Sequence, residues 1–184
     1  MTKVKEQATI EDLYKISENR KAELINGEIV LMSPTGDLPN IVAGAIYVSL
    51  RLYSRNTKLG RAYTDNIGYK VNLPNRNSFS PDASFYVGNS AGMKFLEGSP
   101  VFAVEVRSEN DYGNKAEENI KKKREDYFLA GTQVVWDIDL LSPDLIKSYR
   151  YDVPDNPVIF RRGDIAYAEP ALPNWSIAVD EMFL

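Results

Sequence analysis

Apolar and polar residues alternate along KAELINGEIVLM (21–32), and Asn26-Gly27 sits at the centre of the alternation. That pair suits a two-residue hairpin turn, because both of its positions take positive φ. Just upstream, TIEDLYKISEN (9–19) reads as a short helix with Thr9 as N-cap. Pro34, Gly36 and Pro39 then mark a loop. The period changes in NIVAGAIYVSLRLYSRN (40–56), where Ile41, Ala45, Val48 and Leu52 recur at three- and four-residue spacing. This predicts a helix buried along that stripe, with Ala43 and Gly44 permitting close packing.

Strand patterning follows. GRAYTDNIGYKVNL (60–73) has strand composition with a break near Asn66, and SPDASFYVG (80–88) and PVFAVEVR (100–107) are largely apolar runs of strand length. NKAEENIKKKREDYFLAG (114–131) is the clearest helix: Asn114 is the expected cap, Glu117 its capping-box partner, and Gly131 the stop. TQVVWDID (132–139) reads as a strand. LIKSYRYD and PVIFRR suggest a hairpin turning at PDNP, and LPNWSIAVDEMFL closes the chain as a strand with a terminal turn or helix. Strands outnumber helices, and the helices lie between strand groups. The expectation is an α/β (α+β) fold with a mixed central sheet, formed by one domain over residues 1–184.

Composition narrows the chemistry mainly by what is missing. There is no histidine and no cysteine. Ser-His-Asp and Cys-His nucleophile systems, thiolate or imidazole zinc sites and histidine acid–base catalysis are therefore excluded. No phosphate-binding glycine loop or nucleophile elbow occurs. Carboxylates, lysines, tyrosines and a hard cation held by oxygen remain. The net charge of −4 gives no global sign of nucleic-acid binding, but it leaves room for a local basic face. No apolar run approaches the roughly 20 residues of a membrane span, and MTKVKEQATIEDLYK has no apolar signal core, so a cytoplasmic location is expected.

Two acidic residues interrupt the core-like strands. In SPDASFYV, Asp82 shares a face with Ser84 and Tyr86; in VFAVEVR, Glu105 shares a face with Ala103 and Arg107. If the two strands are neighbours, both carboxylates enter one crevice, where they repel unless a cation lies between them. Mg²⁺ suits such a pair. In the run KKKR, Lys123 lies within about 40° of the helix face set by Ala116, Ile120 and Tyr127, whereas Lys121 and Lys122 point more than about 100° away. Simpler readings stay open at this point. Glu105 could pair with Arg107 or Lys123, and Asp82 could merely start a strand.

A proline-aspartate pair followed by a second strand bearing glutamate resembles the PD-(D/E)XK nuclease superfamily. More closely, the ordered set AELINGEIVLMSP, SPDASFYV, FAVEVRSEN, KREDYFLAG, VVWDID and LPNWSIAVDEMF resembles the Uma-type family of restriction-endonuclease-like proteins. The resemblance implies a restriction-endonuclease-like core and a divalent metal, Mg²⁺ or Mn²⁺, at Asp82 and Glu105 with help from the Val106 carbonyl. It implies a cationic role for Lys123 and an additional acidic member at Glu23. There are two departures. The strand position that holds lysine in the superfamily holds Arg107, which cannot give up a proton. The loop after MSP reads TGDLPN, without the histidine common in related sequences.

The expected function is Mg²⁺-dependent phosphodiester hydrolysis on nucleic acid, DNA in the first instance. A homodimer would help to cut both strands. The alternative is a catalytically silent nucleic-acid- or protein-binding module on the same scaffold.

Overall fold

The computed structural model describes residues 7–16 and 21–184. The chain begins with α1 (Ile10–Tyr14), capped by Thr9 and Asp12 in a reciprocal box. The expected continuation of this helix over 17–19 lies outside the described residues. The hairpin β1 (Ala22–Ile25) and β2 (Glu28–Leu31) turns at Asn26 and Gly27, whose φ values are 51° and 71°. Helix α2 (Asp37–Thr57) starts earlier than expected and takes Pro39 into its first turn. A proline is tolerated there because its missing N–H would have no intrahelical partner.

Next come β3 (Arg61–Thr64), β4 (Tyr69–Lys70), β5 (Ser78–Phe79), β6 (Ala83–Tyr86), β7 (Leu96–Glu97) and β8 (Phe102–Val106). Helix α3 (Asn114–Leu129) leads to β9 (Val134–Ile138), then β10 (Ile146–Arg150), β11 (Val153–Phe160), β12 (Ile165–Tyr167), β13 (Ser176–Ala178) and a 3₁₀ helix at Val179–Phe183. The expected turn at PDNP is corrected: those residues lie within β11, and the chain reverses at Tyr151-Asp152. β11 is an edge strand, where Pro154 and Pro157 can face away from the ladder.

Six strands form the central sheet in the order β11-β10-β9-β8-β6-β3. Only β8 and β9 run parallel, joined by the α3 crossover, so the sheet is mixed. These central strands read as nearly unbroken apolar runs because both faces are covered. On one face α2 and the C-terminal segment pack over Phe85, Phe102, Val104, Trp136 and Ile138. On the other, Tyr127 of α3 joins Phe79, Tyr86, Ala103 and Val135.

The phase of α2 is the main correction to the sequence reading. Val42, Ile46, Leu50 and Tyr53 are buried, whereas Ile41, Val48 and Leu52 are 39, 56 and 53 % exposed. The helix has two apolar stripes, and periodicity alone cannot say which one meets the sheet.

Candidate active site

The register of the sheet brings the acidic residues together. β6 and β8 are antiparallel neighbours with Ala83 opposite Val104, and the Asp82 N–H donates to the Val104 carbonyl. Asp82 therefore lies beside the C-terminal half of β8. Its Oδ2 accepts the Val106 N–H at 2.8 Å, which ties the carboxylate to the strand bearing Glu105.

Helix α3 supplies the next contacts from above that face. Lys123 Nζ donates to Glu105 Oε2 at 2.8 Å, and the Tyr127 hydroxyl donates to Oε1 at 2.6 Å. The two donors are four residues apart, one above the other on the inner helix face. Lys121 and Lys122 are exposed. Lys123 also reaches Glu23 Oε1 at 2.9 Å. Glu23 is 1 % exposed; it accepts the Ser80 N–H at 2.9 Å and pairs with Arg76, which also reaches Asp126.

A second lysine comes from the opposite side. Lys21 Nζ is 2.6 Å from both Asp82 Oδ1 and Asp65 Oδ1. Sequence reasoning missed Lys21, Arg76, Tyr127 and Asp65 as members of the cluster. Lys21 carried a usable signal, since it precedes Glu23 by two residues in a strand-like run and so shares its face. Arg76 carried none, because it sits in a loop between short strands whose pairing no local pattern foretells.

Arg107 lies on the Glu105 face of β8 but does not bond to Glu105. Parallel pairing sets Glu105 opposite Asp137, and Arg107 extends to the Asp137 carboxylate with Nε–Oδ1 at 2.8 Å and Nη2–Oδ2 at 2.7 Å. It also pairs with Glu117 and approaches Asp139 at 3.8 Å. This explains a second correction. Asn114 is not the α3 cap; Gly113, with φ 92°, holds that position, and Glu117 is turned to Arg107 instead of closing a capping box. Two charge-assisted bonds to a guanidinium outcompete a single capping bond.

Burial, with Asp82 and Glu23 adding repulsion, pushes the Glu105 carboxyl up to about 7 against the pull of Lys123 and Lys21. Burial also opposes the charge on Lys123, but Glu105 and Glu23 outweigh it and raise its pKa above the ordinary lysine value. Lys123 therefore stays protonated and can donate but not accept. Glu23 is likewise desolvated, yet Lys123 and Arg76 hold its carboxyl below the usual range.

These shifts set a pH dependence. The fold keeps a proton on Glu105 that the unfolded chain releases near 4.5. Its stabilising effect is complete below that value, is lost as pH rises towards 7, and is flat beyond. With no histidine in the chain, this window holds no ordinary imidazole titration. Urea unfolding of the metal-free protein from pH 5 to 8 is expected to show a decline on the order of 1–3 kcal/mol. Glu105→Gln should flatten that slope; an unchanged slope would place the proton elsewhere.

Five carboxylates, Glu23, Asp65, Asp82, Glu105 and Asp126, face three cations, Lys21, Arg76 and Lys123. With Glu105 ionised, the excess of two negative charges among these described residues and the all-oxygen donor set fit a hard divalent cation. Among the described residues no three acidic side chains converge tightly enough to enclose an ion. A cation here would rest on one or two carboxylates, with water and substrate oxygens completing its shell, as Mg²⁺ commonly does. A small, largely apolar cavity of about 40 Å³ lies beside Glu105, Lys123 and Tyr127.

Comparison with known proteins bears on the family and the fold. The family model named Uma2, described as "Putative restriction endonuclease", matches residues 8–180. The chain belongs to the Uma2 family. A crystal structure from Anabaena variabilis, described as "a putative nuclease belonging to DUF820", superposes with a TM-score of 0.74 at 16 % identity, covering 95 % of this chain and 97 % of that one. That likeness establishes a shared fold. No curated protein matches the sequence. Among the described residues no helix is long and apolar enough to cross a membrane.

Proposed function

We propose that this Uma2 protein is a divalent-metal-dependent endonuclease that hydrolyses phosphodiester bonds in DNA, with Mg²⁺ or Mn²⁺ held by Asp82, Glu105 and the Val106 carbonyl. The observation that carries the reading is the placement of Asp82 and Glu105 on adjacent strands, with the protonated Lys123 against Glu105. A cation bound there supplies a Lewis acid for a phosphate oxygen and makes a water easier to deprotonate. The protein's own groups do the positioning. Tyr127 fixes the Glu105 carboxylate, and Glu23 with Arg76 holds Lys123 from behind. Lys123 donates towards the reacting phosphate, where negative charge develops. Lys21 neutralises Asp82 in the metal-free state and can follow a phosphate oxygen when that carboxylate is taken up. Two copies acting together would allow both strands of a duplex to be cut.

A second reading, a binding module without catalysis, is favoured by one observation. The Asp82 and Glu105 carboxylates already have protein partners at every oxygen. One titration separates the two. Mn²⁺ at about 100 times its Kd should stabilise wild type by roughly 2.7 kcal/mol. That corresponds to a Tm rise of about 5–10 °C for a chain of this size. Asp82→Asn and Glu105→Gln should remain folded, lose that rise and lose Mg²⁺-dependent nicking of supercoiled plasmid. If Mn²⁺ stabilises both variants as it does wild type, the metal assignment is wrong. If wild type shows neither stabilisation nor nicking, the cluster is a structural ion-pair network.

A further inference from the structure

The stripe that the helical period marked as core is the one α2 turns outward. Leu38, Ile41, Val48 and Leu52 are 44, 39, 56 and 53 % exposed, and Ala45 lies half-buried between them. Their separations are three, four, three and four residues, the 3.5-residue repeat by which one helix seats against another rather than against a sheet. Buried Val42, Ile46, Leu50 and Tyr53 already serve the sheet, so the outer stripe is additional to what the fold needs. The helix runs for 21 residues, about 31 Å, long enough for two heptads of contact.

We propose that this stripe docks against the same stripe of a second copy, with the two α2 helices antiparallel about a two-fold axis near Ala45. Charge placement argues for self-pairing and for this direction. Asp37 flanks the stripe at its N-terminal end; Arg51 and Arg55 flank the same side at the other end. None of the three has an ion-pair partner among the described residues. Antiparallel pairing sets Asp37 of each copy against the arginine end of the other. Parallel pairing would bring the like-charged ends level with each other and keep Asp37 away from the arginines. A two-fold contact is self-complementary by construction, so one sequence pattern satisfies both sides. Half-buried Ala45 and the neighbouring Gly44 leave the centre slim enough for the helices to approach closely. The proposal does not depend on the cleavage reading. It adds to it only that α2 covers the sheet face opposite Glu105 and α3, so pairing leaves both candidate sites open.

The chain lacks cysteine, which makes single-cysteine cross-linking a clean test. The 184-residue chain should sediment at twice its own 20.8 kDa at concentrations of about 10–100 μM. Val48→Glu, at a position already more than half exposed, should give a folded monomer with unchanged circular dichroism and unchanged Mn²⁺ binding. Under oxidation Ala45→Cys should form a covalent dimer. Leu38→Cys alone should not, but a mixture of Leu38→Cys and Leu52→Cys should. Lys122→Cys, exposed on α3, is the control and should stay monomeric. A monomeric wild type, or a dimer that survives Val48→Glu, overturns the proposal. Efficient cross-linking of Leu38→Cys to itself overturns the antiparallel arrangement.

Discussion

Replacing Arg107 by alanine is expected to cost about 3–5 kcal/mol of stability at neutral pH, the range found when one member of a buried ion pair is removed. The magnitude follows from what would be left behind. Arg107 is 5 % exposed and Asp137 only 3 %, and the guanidinium meets that carboxylate with two parallel bonds while also holding Glu117. Hydrogen bonds donated to Asp137, and then to Glu117, raise the arginine pKa further above its ordinary value, so the charge persists at every accessible pH. Alanine leaves Asp137 buried without a partner between β8 and β9, the two parallel strands at the middle of the sheet. Arg107→Lys keeps the charge but loses the fork, and is expected to forfeit about 1.5–3 kcal/mol. Arg107→Met combined with Asp137→Leu should recover most of the loss, because an apolar pair of similar volume removes the unmet charge. Urea unfolding of the four proteins decides it. Unchanged stability in Arg107→Ala, with cleavage abolished, would mean that the guanidinium works on the substrate and not on the fold.

How far the sequence speaks for itself differs from element to element, and the reasons are physical. Asn26-Gly27 fixes a hairpin because positive φ at two successive positions admits few residues. The run around Phe102 and the run around Trp136 announce central strands by their unbroken apolar character. Asp82 and Glu105 are conspicuous for the same reason, as charges inside such runs. What local pattern could not supply was the choice between two apolar stripes on α2, which depends on the shape of the sheet beneath. Nor could it supply the partner of Arg107. Sharing a face with Glu105 suggested that pair, but the parallel register of β9 brings Asp137 within better reach, and α3 adds Glu117. The turn misplaced at PDNP has a similar origin. Two prolines signal a turn in isolation, and only the edge position of β11 makes them acceptable in a strand.

Lys123→Ala should lower Mg²⁺-dependent plasmid cleavage by about 10²–10³-fold, the usual loss when a preorganised donor to developing negative charge is removed. Lys121→Ala and Lys122→Ala should stay within a few-fold of wild type. The contrast rests on position. Lys123 is 17 % exposed and bonded to Glu105 and Glu23, whereas Lys121 and Lys122 face solvent, Lys121 beside Glu125 at 3.9 Å. In the metal-free protein Glu105 and Glu23 raise the pKa of Lys123 and keep it protonated, so the loss is expected as weaker stabilisation of the transition state and not as a shifted basic limb of the pH profile. Removing Lys123 also leaves Glu23 with Arg76 as its one cation among the described residues, beside the Ser80 N–H, and the variant's unfolding curve and circular dichroism must be compared with wild type before its rate is interpreted. Lys123→Arg supplies the companion measurement. It keeps a positive charge on the same helix turn, so a lysine that only neutralises Glu105 and Glu23 would be replaced with little loss of rate. A lysine that aims a compact donor at phosphate would not. The expectation is that Lys123→Arg stays folded, binds Mn²⁺ and remains at least about 10-fold slow. Equal rates for all three alanine variants would reduce the lysine run to a diffuse electrostatic patch and remove Lys123 from the site.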